Sequence, residues 1–154
     1  MADSRRPGLT ECNCLAVRQA ARTVTQFYDH HLAPSGLRTS QFGVLAMLER
    51  KGALTINELA AEFVIDRTTL GRNILPLQRD GLITVKPSPF DRRSKELHLT
   101  EAGKKRYLEA RKYWVEAQKG FEANFGGKRA ADLRAMLHAV VDSELQPANS
   151  ASVH

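Results

Sequence analysis

Residues 55–103 read TINELAAEFVIDRTTLGRNILPLQRDGLITVKPSPFDRRSKELHLTEAG, and the fold turns on this stretch. Thr55 and Glu58 have the spacing of a capping box, in which hydroxyl and carboxylate satisfy backbone donors at a helix start. A short helix is expected to follow, ending at Phe63. Asp66 is placed to N-cap a second helix, whose Leu70, Ile74 and Leu77 fall at i, i+4 and i+7 on one side. At about 100° per residue, Thr68, Arg72 and Arg79 point away from that side. Gly81 should stop the helix. Leu82 to Lys86 then reads as a strand rich in β-branched residues, and Pro87-Ser88-Pro89 breaks it. The polar tip Asp91-Arg92-Arg93-Ser94-Lys95 leads into Glu96-Leu97-His98-Leu99, which alternates as a half-buried return strand does. Thr100 caps the next helix, and Glu101 in its first turn complements the helix dipole.

Two short helices followed by a basic hairpin are the layout of a winged helix-turn-helix, and the flanks are helical. Residues 13–32 carry Leu15, Ala16, Val24, Phe27 and Tyr28 in a helical pattern ended by Pro34-Ser35-Gly36. Thr39 or Ser40 is the expected cap of the next helix, with Phe42, Val44, Leu45 and Leu48 as core and Gly52 as stop. After the wing, two helices over about 101–124 and 128–145 flank Gly126-Gly127. The fold class is therefore mainly α with a small β-wing, in a single domain of 154 residues whose tail, 147–154, is expected to be disordered.

The net charge of +6 favours a polyanionic partner, and its distribution narrows the choice. Residues 66–106 hold ten Lys or Arg against five Asp or Glu, whereas 1–65 hold seven against six and 107–154 six against six. The excess lies on the recognition helix and wing, as expected of a DNA reader. No apolar run could span a bilayer and no signal peptide follows the first methionine, so a cytoplasmic protein is expected. Five histidines lack zinc-site spacing, and adjacent His30 and His31 should point to different sides of a helix. Neither a Gly-rich phosphate loop nor a nucleophile motif occurs, so no enzyme, metal or cofactor is expected.

Glu58-Leu59-Ala60, Asp66-Arg67-Thr68-Thr69-Leu70, Gly81-Leu82-Ile83, Asp91-Arg92-Arg93-Ser94 and Leu99-Thr100-Glu101-Ala102-Gly103 together resemble the MarR family of bacterial transcriptional regulators, in order along nearly the whole chain. The resemblance implies a homodimer on a pseudo-palindromic operator of double-stranded DNA. Residues of about 39–100 would form the winged helix-turn-helix, and about 13–33 and 101–145 the dimerisation helices. The latter offer Trp114, Val115, Phe121, Phe125, Leu133, Leu137, Val140 and Val141 as apolar surface; for Trp114, Phe121 and Phe125 the plainer reading is core packing.

Within the recognition helix Arg72 is the expected base reader, since a guanidinium donates two parallel bonds to guanine. Thr68 and Thr69 would touch a thymine methyl or a phosphate, while Arg67 and Asn73 suit base or phosphate equally. Gly71 weakens the helix unless DNA comes close, and Pro76 is expected to bend it. On the wing, Arg92, Arg93 and Lys95 are expected near phosphates; the resemblance maps the motif arginine onto Arg93, with Asp91 orienting it or a neighbouring arginine. A small anionic or aromatic effector is implied in a crevice between dimer helices and winged helix, with Arg18, Arg22, Tyr28 and His30 as candidate contacts beside His31. Cys12 and Cys14 are too close in sequence to staple the domain. The run from Cys14 resembles the organic-hydroperoxide-sensing branch of the family, which makes redox sensing the alternative. Tyr28 keeps one tyrosine position of that branch, and Arg18 replaces the other.

Overall fold

The computed structural model describes residues 8–143 and 145, so the expected tail from 147 lies outside the described residues. The chain divides into two compact units, one through Glu116 and one from Ala117 onward.

In the first unit, helix α1 (Asn13–Leu32) begins at Cys12, whose Sγ accepts a hydrogen bond from the Leu15 amide at 3.4 Å. Helix α2 (Thr39–Lys51) departs from the expected capping, because Arg38 holds the N-cap position and Thr39 is already helical. Gln41 Oε1 accepts from the Arg38 amide at 3.0 Å. Asp29 of α1 accepts from both the Thr39 amide, at 2.7 Å, and the Thr39 hydroxyl, at 2.8 Å. The tight turn after α1 brings a carboxylate from ten residues upstream to a helix end that local sequence was expected to satisfy.

Strand β1 (Leu54–Thr55) leads into helices α3 (Ile56–Phe63) and α4 (Arg67–Arg79). The capping box is formed: the Glu58 amide donates to Thr55 Oγ1 at 3.2 Å and the Thr55 amide to Glu58 Oε2 at 2.7 Å. Val64 closes α3 in the left-handed region at φ 53°, an unusual place for a β-branched side chain. Leu70, Ile74 and Leu77 are buried in a core shared with Leu32, Leu45, Leu48, Leu59, Ile83 and Leu97. Pro76 leaves α4 continuous as far as Arg79.

Strands β2 (Ile83–Pro87) and β3 (Lys95–Leu99) form the wing, and the antiparallel sheet order is β1-β3-β2. Pro87, expected to break the first strand, instead pairs opposite Lys95 as its last residue. That position is tolerated because β2 is an edge strand whose outer amides have no partner to lose. Helix α5 (Glu101–Phe125) is pinned to the wing at its start, where Thr100 Oγ1 donates to the Gly81 carbonyl at 2.7 Å and accepts from the Gly103 amide at 3.0 Å. A Cβ on Gly103 would lie 2.0 Å from the Leu82 carbonyl oxygen, so only glycine fits this approach.

The second unit contains the end of α5 and helix α6 (Gly127–Asp142), which stops short of the expected 145. Phe121 stacks on Phe125 with centroids 5.4 Å apart, and the Arg129 guanidinium lies 4.3 Å over the Phe125 ring. Met136, Leu137, Val140 and Val141 remain exposed along α6.

Candidate nucleic-acid interface

The start of α4 is held by Asp66, whose carboxylate accepts the Thr69 amide and the Thr69 hydroxyl, each at 2.8 Å. Those bonds hold the Asp66 carboxyl below the usual carboxylate range, the Thr69 amide contributing most. They also commit the Thr69 hydroxyl proton inside the protein. Arg67, Thr68 and Arg72 are exposed, and neither arginine forms an ion pair among the described residues. Asn73 is half-buried beside them. Gly71 opens on empty space, since a Cβ there would meet nothing within 4 Å.

The wing tip is built by short bonds. The Ser88 amide donates to the Ser94 carbonyl at 2.8 Å, and the Ser94 amide to the Asp91 carbonyl at 3.0 Å. Asp91 acts on the backbone, its Oδ1 accepting from the Arg93 amide at 3.0 Å. Sequence reasoning assigned this carboxylate to an arginine side chain; an aspartate bonding the amide two residues on is the usual turn geometry for such a position. Arg92, Arg93 and Lys95 are all exposed, and the described side chains offer them no ion pair. Arg67 and Arg72 of helix α4 and Arg92, Arg93 and Lys95 of the wing are thus cations without an ion pair among the described residues, the charge that a phosphate backbone calls for.

A cavity of about 440 Å³ lies behind α4, walled by Phe42, Phe63, Ile65, Leu70 and Trp114, with Thr39, Ser40, Thr69 and Asn73 as its polar edge. Its size suits a small organic ligand. Trp114 packs as core after all, stacked on Phe42 at 5.9 Å, while also forming this wall. None of Arg18, Arg22, Tyr28 and His30 lines this cavity. Arg18, Arg22 and His30 are exposed on α1; Tyr28 is half-buried, edge-on to Phe27 at 5.9 Å. The His30 and His31 rings, expected to diverge, meet edge to face at 5.9 Å. Cys14 is exposed on the first turn of α1. No cluster of three or more metal-ligating side chains occurs among the described residues, and no described helix is long and apolar enough to cross a membrane.

The profile of the MarR family matches residues 35–94, which span α2, the helix-turn-helix and the wing tip. The M. tuberculosis transcriptional regulator MosR, solved in complex with DNA, is 36% identical with a TM-score of 0.74, covering 88% of this chain and 100% of its own. The chain belongs to the MarR family. Within that family it is also similar to the transcriptional repressor CouR, solved on a 23-mer DNA duplex, at 28% identity and a TM-score of 0.77, covering 86% of this chain and 94% of that one. A further relative is the HTH-type regulator YwoH of Bacillus subtilis (strain 168), 28% identical over 122 residues, or 79% of this chain and 86% of YwoH. The cavity of this chain has walls that the sequence signalled only as core. Periodicity marks Phe42 and Leu70 as buried but carries no sign that the space between them is open.

Proposed function

We propose that this protein is a sequence-specific regulator of transcription that binds double-stranded DNA as a homodimer in the cytoplasm, a repressor that a small aromatic effector releases. The observation that carries the reading is the pairing of α4, with unpaired Arg67 and Arg72 beside Thr68, with a wing bearing Arg92, Arg93 and Lys95. Arg72 reads a base edge in the major groove, Arg67, Thr68 and Asn73 take bases or phosphates, and the wing arginines reach toward the minor groove. Thr69 keeps its methyl for contact while its hydroxyl donates to the capping carboxylate of Asp66. The repressor assignment leans on CouR, named as one.

The effector reading is supported by the cavity's aromatic walls and by its position: Thr69, Leu70 and Asn73 belong to α4, so an occupant shifts the helix that meets DNA. A ligand moves such an equilibrium only by its preference for one arrangement. Two recognition helices must stand about 34–36 Å apart to meet successive major grooves, so a small shift suffices. Arg18, Arg22, Tyr28 and His30 remain proposed as an outer, anion-attracting approach on α1. Ligand release is preferred to oxidation because Cys12 Sγ already caps α1 and Arg18 stands where the hydroperoxide-sensing branch has its second tyrosine.

Titrating labelled duplex with the protein at several salt concentrations tests the first claim: a steep fall in affinity with salt is expected, and salt-independent or absent binding overturns it. Challenging the complex with aromatic acids, their coenzyme A thioesters and an organic peroxide tests the second. Release by peroxide that is lost in a Cys12→Ser, Cys14→Ser double variant would reverse the preference for a ligand.

A further inference from the structure

Phe90 is 95% exposed at the wing tip, more than any other large apolar side chain described. No ring contact holds it. The backbone that presents it is nonetheless fixed on both sides. Ser88 is buried, its hydroxyl accepting from the Phe90 amide at 3.3 Å and donating to Glu96 at 3.1 Å. Beyond it, Asp91 ties down the Arg93 and Ser94 amides. Pro89 limits the remaining freedom. A benzyl group held out in water on a rigid tip adds nothing to the core, and Lys86, Arg92, Arg93 and Lys95, within five residues of it in sequence, are all exposed. The tip's carboxylates are already engaged, Asp91 with the Arg93 amide and Glu96 with Ser88 and with His98 at 3.2 Å. An apolar knob on a hairpin whose neighbouring cations form no ion pair among the described residues is complementary to a groove with phosphate walls and an apolar floor of stacked bases. Proteins that enter the minor groove use such side chains to part a base step.

We propose that Phe90 is a wedge: the wing drives it into the minor groove beside Arg92 and Arg93, where it opens a base step, and this makes the protein select flexible pyrimidine–purine steps flanking each half-site. The proposal rests on the reading of α4 and the wing as a DNA-binding surface. It adds a residue that selects sequence through deformability, at positions the recognition helix does not touch.

The test uses the full chain and a duplex it selects from a random-sequence library. 2-Aminopurine is placed in turn at each position flanking the half-sites, and wild type is compared with Phe90→Ala, Phe90→Leu and Arg93→Ala. The expected result is a rise in 2-aminopurine fluorescence at one step per wing with wild type and Phe90→Leu. Phe90→Ala should give no rise at saturation and about tenfold weaker binding. Arg93→Ala should bind more weakly yet still give the rise once saturated. Equal affinity and equal fluorescence in Phe90→Ala would overturn the wedge, and so would weaker binding with no fluorescence change at any position in wild type. A change in the mass of the DNA-free protein on Phe90→Ala would overturn it too, by assigning the side chain to a protein contact. If wild type bound no duplex, the DNA-binding reading itself would fall; a wedge that fails while wild type binds leaves that reading standing.

Discussion

Val64 and Gly103 are opposite cases of how one side chain meets its backbone. Val64 holds φ 53° with a branched side chain that is 69% exposed, so it carries left-handed strain with little packing in return. Val64→Gly should raise stability by up to about 1 kcal/mol, partly offset by glycine's freedom in the unfolded chain, and a thermal melt reads it as a Tm higher by about 3 °C. An unchanged or lower Tm would show that the turn is not strained. Gly103→Ala is expected to cost about 2–3 kcal/mol, because the added methyl meets the Leu82 carbonyl oxygen at 2.0 Å and a Leu99 methyl at 2.8 Å, and a backbone oxygen cannot swing aside. A variant as stable as the parent would mean that the junction between wing and α5 gives way easily. In the sequence Gly103 was visible only as part of a family resemblance; its reason, close approach to a residue 21 positions earlier, is a tertiary fact. Arg72 is a different kind of test. Arg72→Ala should relax preference at one base pair per half-site by about 1–3 kcal/mol, while Arg93→Ala weakens all duplexes alike. Binding assays on mutated operators decide it, and unchanged discrimination by Arg72→Ala would remove its base-reading role.

At the level of elements, the caps were the most legible features because they are local. Thr55, Glu58, Asp66 and Thr100 all sit within three residues of the groups they satisfy, so spacing alone exposed them. The cap of α2 was not legible, since its acceptor, Asp29, comes from another helix. Two of these caps carry a pH dependence. The Thr55 amide and then its hydroxyl lower the Glu58 carboxyl below its ordinary range, as the Thr69 amide and hydroxyl do for Asp66. A carboxyl lowered on folding stabilises the helix fully above its unfolded value, about pH 4, and that stabilisation is lost as pH falls through the lowered folded value. Circular dichroism melts should therefore show stability dropping on acidification through this window. A Glu58→Gln, Asp66→Asn double variant, which keeps acceptors but no titrating charge, should show a shallower drop. An identical acid limb in both proteins would assign the effect to other carboxylates.

For the molecule as a whole, the exposed row Met136, Leu137, Val140 and Val141 on α6 needs a cover that the described chain does not supply. Sedimentation at micromolar concentration should give twice the chain mass. A Leu137→Glu, Val141→Glu variant should keep its helix content yet sediment as a monomer and protect one half-site instead of two. A wild-type monomer that footprints a full palindrome would refute the assembly. Periodicity was enough to foresee Leu137, Val140 and Val141 as an apolar stripe, since exposed and buried faces of a helix share one pattern; what it could not foresee was the hollow behind α4, which depends on how four helices fail to fill the space between them. The sheet raises a matter of solubility. Its order leaves β1 and β2 as open edges, and open edges invite pairing between neighbouring molecules. Strand β1 is only two residues long, and β2 ends in Lys86-Pro87, a charge followed by a residue with no amide to donate. Regulators crowded along one duplex would bring their wings side by side, and these edges give such neighbours nothing to zip together, so the protein resists β-aggregation at its wing hairpin.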